Sequence, residues 1–206
     1  MARPQSVTDE EILEAARRCF LEHGPGTSTD LIAAGLGVSP QALLKRFHSK
    51  QQLLIAALVP TSPPDWNELV AAGPDERDVG DQLTEILLAL AGFFSEIVRR
   101  MSILRWSGIQ PEELLQQFDE PPPVRDIRLL AGWLQRASDR GLIRPVDEEA
   151  TAMLLLTSLH GPAMITEMLG RHPTGQSTEE YVQCLVQLLL TGLRFDANCV
   201  FGTTTT

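Results

Sequence analysis

Apolar residues recur along nearly the whole chain three and four positions apart, the period of a helix face, and strand-like alternation is absent. The pattern predicts an all-α protein. Ile12, Ala16, Cys19 and Phe20 share one stripe of a first helix. Thr8-Asp9-Glu10-Glu11 opens it as a capping box, and His23-Gly24 closes it. Cys19 on that stripe reads as a small core residue.

Two shorter helical patterns follow between Ser28 and Lys50. Ser28 or Thr29 caps the first, which runs to about Leu36, where Gly37 supplies the left-handed backbone that ends a helix. Ser39 caps the next and Pro40 is its first residue. Two helices of about two turns joined by three residues match the helix-turn-helix, whose second helix lies in the major groove. That second helix divides by face. Leu43 and Phe47 point to a small core with Ile32 and Val38, while Gln41, Leu44, Lys45 and His48 form another face. Gln pairs with adenine in a bidentate way, Ala42 and Leu44 suit thymine methyls, and Lys45 and Arg46 suit phosphate or guanine. Ser49 caps a further helix, so Lys50 and that helix's free N–H groups form a phosphate site.

Beyond Leu58, Pro60 to Asp78 carries four prolines and reads as a connection with one short helix around Trp66 to Ala71. Helical patterns then run over Asp78 to Trp106, Pro111 to Phe118, Pro122 to Arg140 with Gly141 as its stop, Asp147 to Gly170, and Ser177 to Phe195. Gly161-Pro162 predicts a kink in the fourth of these. The expected division is a DNA-binding domain over 1–59, a helical domain over 60–195, and a disordered tail over 196–206 ending in four threonines. The fifth helix is apolar over more than half its circumference, at Val182, Leu185, Val186, Leu188, Leu189, Leu190 and Leu193, so two of its sides call for burial. A homodimer supplies the second burial. Its expected contacts are Met153, Leu154, Ser158 and Gly161 from the fourth helix, with Val182, Leu185, Leu189 and Leu193 from the fifth.

Charge sharpens this picture. The 206 residues carry a formal net charge of -10, against the basic balance usual in nucleic-acid binders. Residues 1 to 59 nevertheless hold six basic and six acidic residues, and no acid stands between Leu31 and Pro64. A locally basic tip on an acidic body points one end at DNA. Cys19, Cys184 and Cys199 are widely spaced and form no C-x-x-C, so neither a disulfide scaffold nor a zinc site is indicated. The four histidines are scattered, and no nucleophile elbow, P-loop or dinucleotide fingerprint occurs, so no enzyme, metal or cofactor is expected. No stretch reaches the roughly 18 uninterrupted apolar residues of a membrane span, and a cytoplasmic protein is expected. A helical adaptor that binds another protein, without DNA, is the competing class; it requires neither the acid-free stretch nor the capped turn.

The residues Gly24, Thr27 to Thr29, Ile32-Ala33, Gly37-Val38-Ser39, Leu43, Phe47, Lys50 and Leu53-Leu54 together resemble the DNA-binding domain of the TetR family of bacterial regulators. That family usually has Tyr where this chain has Leu44, which leaves Thr29, Lys45 and Lys50 as the implied phosphate contacts. The resemblance implies base contacts from Pro40 to Lys45. The full candidate DNA set is Thr29, Ser39, Pro40, Gln41, Ala42, Leu44, Lys45, Arg46, His48 and Lys50. The resemblance also implies a repressor dimer that packs its last two helices against their copies, reads a palindromic operator and answers to a small effector, which the few charges on the inward stripe make apolar or weakly polar. The pocket for that effector is expected among Phe93, Phe94, Ile97, Met101, Leu104, Trp106, Phe118, Leu130, Trp133, His160 and Met164, with Arg105 and Glu96 as charged exceptions. A ligand-independent regulator is the alternative if these residues simply fill a core.

Overall fold

In a computed structural model the described residues are 7–60, 64–110, 114–115 and 118–192, and among them the chain forms nine helices and no strand. They are α1 (Asp9–His23), α2 (Thr29–Leu36), α3 (Pro40–Phe47), α4 (Lys50–Leu58), α5 (Trp66–Ala72), α6 (Val79–Trp106), α7 (Pro122–Asp139), α8 (Glu148–Leu169) and α9 (Thr178–Thr191). The expected tail over 196–206 and most of the short helix expected over Pro111 to Phe118 lie outside the described residues.

Side-chain oxygens start these helices where the sequence places them. Thr8 donates its N–H to Glu11 at 2.7 Å, and its hydroxyl accepts the Glu11 N–H at 3.2 Å. The bond from the Thr8 backbone holds the Glu11 carboxyl below its ordinary range. Ser28, rather than Thr29, caps α2, and Ser39 caps α3 by accepting from Ala42 at 3.2 Å. Gly37 ends α2 with φ 66° and ψ 26°, a left-handed conformation in which a side chain would be strained. One boundary differs from the sequence pattern. Gly192 closes α9 at Thr191, because a glycine with φ 73° interrupts the apolar repeat before Phe195 is reached.

Two hydrophobic cores hold the chain. The larger gathers Trp66, Leu83, Leu87, Leu90, Trp133, Leu155 and Val182, with α6 packed against α5, α8 and α9, and α7 closing on α5 and α8. The smaller binds α1 to α4 through Ile12, Phe20, Ile32, Leu43, Leu53 and Leu58. Sequence position does not separate the two. Ile103 and Leu104, at the far end of α6, and Ile109 and Leu114 beyond it belong to the N-terminal core, with Leu104 at 0% exposure. A chain cut at residue 59 would therefore leave that core open, because part of its apolar content lies on the last turn of α6 and just past it. Arg99 adds a bond from α6 to the Leu21 carbonyl at 2.8 Å.

By length and composition α8 would pass for a membrane-crossing helix, but its contacts with α6 and α7 place it in the bundle. The helix continues through Pro162. A proline there has no N–H for the carbonyl four residues back, which is that of Ser158. Tyr181 of α9 supplies the missing donor, its hydroxyl bonding the Ser158 carbonyl at 2.9 Å. The chain's single tyrosine thus repairs its helix-interior proline and ties α9 to α8.

Two measurements check this packing. Leu104→Ala and Leu90→Ala each empty a fully buried site, and each is expected to cost about 2–5 kcal/mol in denaturant unfolding. Hydrogen exchange should separate them, with Leu104→Ala loosening amides of α1 and α4 and Leu90→Ala loosening the bundle. Equal effects of both on α1 and α4 would contradict the division into two cores. Tyr181→Phe leaves the Ser158 carbonyl without its donor and is expected to cost about 1–3 kcal/mol; an unchanged unfolding midpoint would mean that the bond contributes nothing.

Candidate nucleic-acid interface

The exposed surface of α3 follows from what its core side must bury. Leu43 is fully buried and Phe47 half-buried, both packed with Ile32, Ala33 and Leu53, so the opposite side of this eight-residue helix faces outward. Gln41, Ala42, Leu44, Lys45, Arg46 and His48 are exposed there, and Ser39 and Pro40 stand at its start. Leu44 keeps 38% of its surface accessible, an apolar side chain among polar ones on a helix whose core side is already filled.

The cations fall into two kinds. Lys45 and Lys50 have no ion-pair partner among the described residues, and no acid lies near them in sequence. Arg46 is engaged: its guanidinium donates to the Val7 carbonyl at 2.5 Å and meets the Asp9 carboxylate at 3.2 Å. It clips the end of α3 to the start of α1. Lys50 and Thr29 are each the first residue of a helix, α4 and α2, where backbone N–H groups lack internal partners and the helix dipole is positive. His48 is the one non-glycine with positive φ among the described residues, at φ 63° and ψ -41°. The Ser49 N–H bonds back to the Phe47 carbonyl at 2.7 Å across it, the strained form of the γ-turn, and this sharp turn sets α4 against α3. Thr27, just before the cap, is 5% exposed and donates to the Gly24 carbonyl at 2.7 Å, locking the link from α1 to α2.

The residues expected around an effector do not share one cavity. Leu130 and Trp133 lie sealed in the larger core and Leu104 in the smaller one, while Met101 packs at the margin of the latter. Trp106 is 76% exposed, and Phe118 and Met164 also stand at the surface. Long apolar side chains spaced along amphipathic helices can face a core, a pocket or solvent, and spacing alone does not say which. Phe93, Phe94 and His160 do meet: the Phe94 ring lies 5.5 Å from Phe93 and 5.3 Å, edge-on, from His160. Burial lowers the His160 pKa from its ordinary value.

A crevice of about 200 Å³ opens where α6 passes the N-terminal domain. Phe93, Ile97, Glu96 and Arg100 line it from α6, Arg17 from α1, and Pro60 and Pro64 from the chain after α4. The sequence pattern points to Phe93, Ile97 and Glu96 but misses Arg100 and Arg17. A signal for Arg100 is present: Phe93, Ile97, Arg100 and Leu104 lie at i, i+4, i+7 and i+11, which puts an arginine on an inward stripe.

The expected dimer residues also divide. Met153 and Leu154 on α8 are at least half exposed, Ser158 and Gly161 partly so. Val182 is at 0% exposure inside its own subunit and has no surface left for a partner. Leu185 and Leu189 are half-buried against the same core, and Leu193 lies outside the described residues. Ile165, Met168 and Leu169 on α8 and Leu188 and Leu190 on α9 are the further apolar side chains left open.

Residues 12–57, from within α1 into the last turn of α4, match the model of the bacterial regulatory proteins of the tetR family. No curated protein matches the chain. Among solved structures, a TetR-family transcriptional regulator from Mesorhizobium loti is similar with TM-score 0.69 and 22% identity, over 88% of this chain and 94% of that one. The TetR-family regulator PfmR from Thermus thermophilus aligns with TM-score 0.57 and 27% identity, over 89% and 99%. FadR from Bacillus subtilis, a transcriptional regulator solved in complex with stearoyl-CoA, aligns with TM-score 0.61 and 16% identity, over 91% and 100%. Residues 12–57 thus form a DNA-binding domain of the tetR type, carried on a fold shared with TetR-family transcriptional regulators, and domain and fold together support a DNA-binding regulator of transcription.

Proposed function

We propose that this regulator is a homodimeric, ligand-responsive repressor that acts in the bacterial cytosol on a palindromic operator. The observation that carries the DNA reading is the outward face of α3, with Gln41, Ala42, Leu44 and Lys45 exposed on a helix whose other side is anchored by Leu43. The exposed residues between Pro40 and Lys45 meet base edges, Leu43 being turned to the core, with Gln41 the side chain suited to adenine and Ala42 and Leu44 to thymine methyls. Thr29, Ser39, Lys45 and Lys50 hold phosphates, and His48 lies at the edge of the contact. Arg46 adds a phosphate contact only by leaving Asp9, so its first role is to fix the pitch of α3 on α1.

Open apolar surface on α8 and α9 supports the dimer. On α8 Leu154 is 58% and Met168 80% exposed, and on α9 Leu188 and Leu190 stay open, while the other sides of both helices are packed on α6. A second copy covers such a surface by two-fold symmetry, and the same symmetry presents two α3 helices to two half-sites about 34 Å apart. Ligand response is a population shift: a ligand that favours one placement of the N-terminal domains changes their spacing and so the operator affinity. FadR with its bound stearoyl-CoA supports this as a use of the fold.

Site selection from a random duplex pool is expected to return an inverted repeat; sequence-independent retention alone would defeat the repressor reading. On the selected site, Lys50→Ala should weaken binding evenly across sequences and reduce the salt slope by about 1, whereas Gln41→Ala should cost about 1–3 kcal/mol at one base position only. If Lys50→Ala leaves both affinity and salt slope unchanged, its phosphate role is wrong. Leu154→Glu changes an exposed side chain and should leave the subunit folded. In sedimentation it is expected to turn a dimer into a monomer and to abolish tight operator binding, and a dimer that persists would move the interface off α8.

A further inference from the structure

The crevice between α6 and the N-terminal domain contains a charge that its own protein neighbours do not satisfy. Arg100 is 8% exposed, and its Nε, shielded from solvent, has no hydrogen-bond partner. Glu96, one turn earlier on α6, bonds only the neighbouring Nη2 of the same guanidinium. Nε and Nη2 form the edge of an arginine that a carboxylate grips with two parallel bonds, and here half of that edge is used. Glu96 is held weakly in another respect: its side chain is 53% exposed, so it gains little from burial and can turn out to solvent. A sealed guanidinium with an unmet donor is costly, which makes this position one that an incoming acceptor relieves.

The rest of the crevice is consistent in chemistry. Phe93 and Ile97, two turns and one turn before Arg100, together with Pro60 and Pro64 give it apolar walls. Arg17 brings a second positive charge, and its Nε donates to the Ala57 carbonyl at 2.8 Å in the last turn of α4. Two arginines and one glutamate leave the crevice net positive by one, which suits a monoanion better than a phosphate dianion facing Glu96.

We infer that this crevice is a binding site for a carboxylic acid with an apolar body. The carboxylate takes the Nε and Nη2 edge of Arg100 in place of Glu96, and the apolar part lies on Phe93, Ile97 and the two prolines. The site deepens the ligand-responsive reading above and rests on it for its purpose: a ligand here touches α6 and, through Arg17, the α1 to α4 contact of the DNA-binding domain.

Calorimetric titration of the full chain with benzoate, hexanoate and octanoate, each beside its matched alcohol, tests this. At least one acid is expected to bind saturably, one per chain, with its alcohol about tenfold weaker or more. Arg100→Gln should weaken the acid by about the same factor, Arg100→Lys less, and Glu96→Gln should strengthen it by removing the internal competitor. Should Arg100→Gln fail to fold by circular dichroism, Glu96→Gln and the acid-to-alcohol ratio decide. The site is overturned if no acid binds with a Kd below about 1 mM, if acids and alcohols bind alike, or if folded Arg100→Gln keeps full affinity. Operator binding is measured in the same samples without acid. Intact operator binding with no acid binding sinks this site alone, whereas absent operator binding sinks the DNA reading and leaves the acid result standing.

Discussion

Everything distinctive in this architecture depends on the burial of Ile103 and Leu104 in a core they do not belong to by sequence. They are the last inward residues of α6, a helix of 28 residues, and they complete the hydrophobic cluster of α1 to α4. Four short helices of 8 to 15 residues have little interior of their own to share. Borrowing side chains from α6 solves that shortage and has a mechanical result. The reading domain is not tethered by a loose linker but seated on the end of a rigid rod, held further by the bond from Arg99 to Leu21.

One stripe of that rod meets three environments in turn. Ile86 and Leu90 lie in the larger core, Phe93, Ile97 and Arg100 face the crevice, and Leu104 lies in the smaller core. Residues at these spacings move together, because a rigid helix cannot shift one without the others. The three environments differ in how firmly they hold it. Leu90 and Leu104 are fully buried, whereas the segment between them carries a charge with an unmet donor. The middle of the stripe is thus where the packing is least complete and where a small perturbation meets least resistance.

Legibility in the sequence followed how local the cause was. Capping is a matter of residues three apart, so Thr8 with Glu11, Ser39 with Ala42 and the Gly37 stop could be placed before any coordinates. The outward face of α3 was equally legible, because burying Leu43 decides where Gln41, Leu44 and Lys45 go. Contacts between distant segments were not. Nothing local marks Leu104 as part of the N-terminal core, Arg46 as a clip to Asp9, or Tyr181 as the donor that Pro162 removes from Ser158. Pocket residues suffered most for the same reason. Trp106 and Trp133 have similar local signals, yet one is at the surface and the other is sealed, because the difference lies in which helices pass nearby.

Under the proposed ligand response, geometry accounts for how a slight signal reaches the DNA. A helix of 28 residues at about 1.5 Å per residue is about 42 Å long, so a tilt of about 5° about one end moves the other by about 4 Å. In the proposed dimer, α8 and α9 fix the near part of α6 to the symmetry axis, and Leu104 carries the reading domain at the far end. Each subunit adds its own displacement, and the two together are a sizeable fraction of the roughly 34 Å between half-sites. The interior of a major groove, about 12 Å wide, does not absorb such an error without losing base contacts. Control of the proposed kind needs no unfolding and no large pocket, only a ligand that prefers one tilt of α6 over another, and the crevice at Arg100 lies within two turns of the lever's working end.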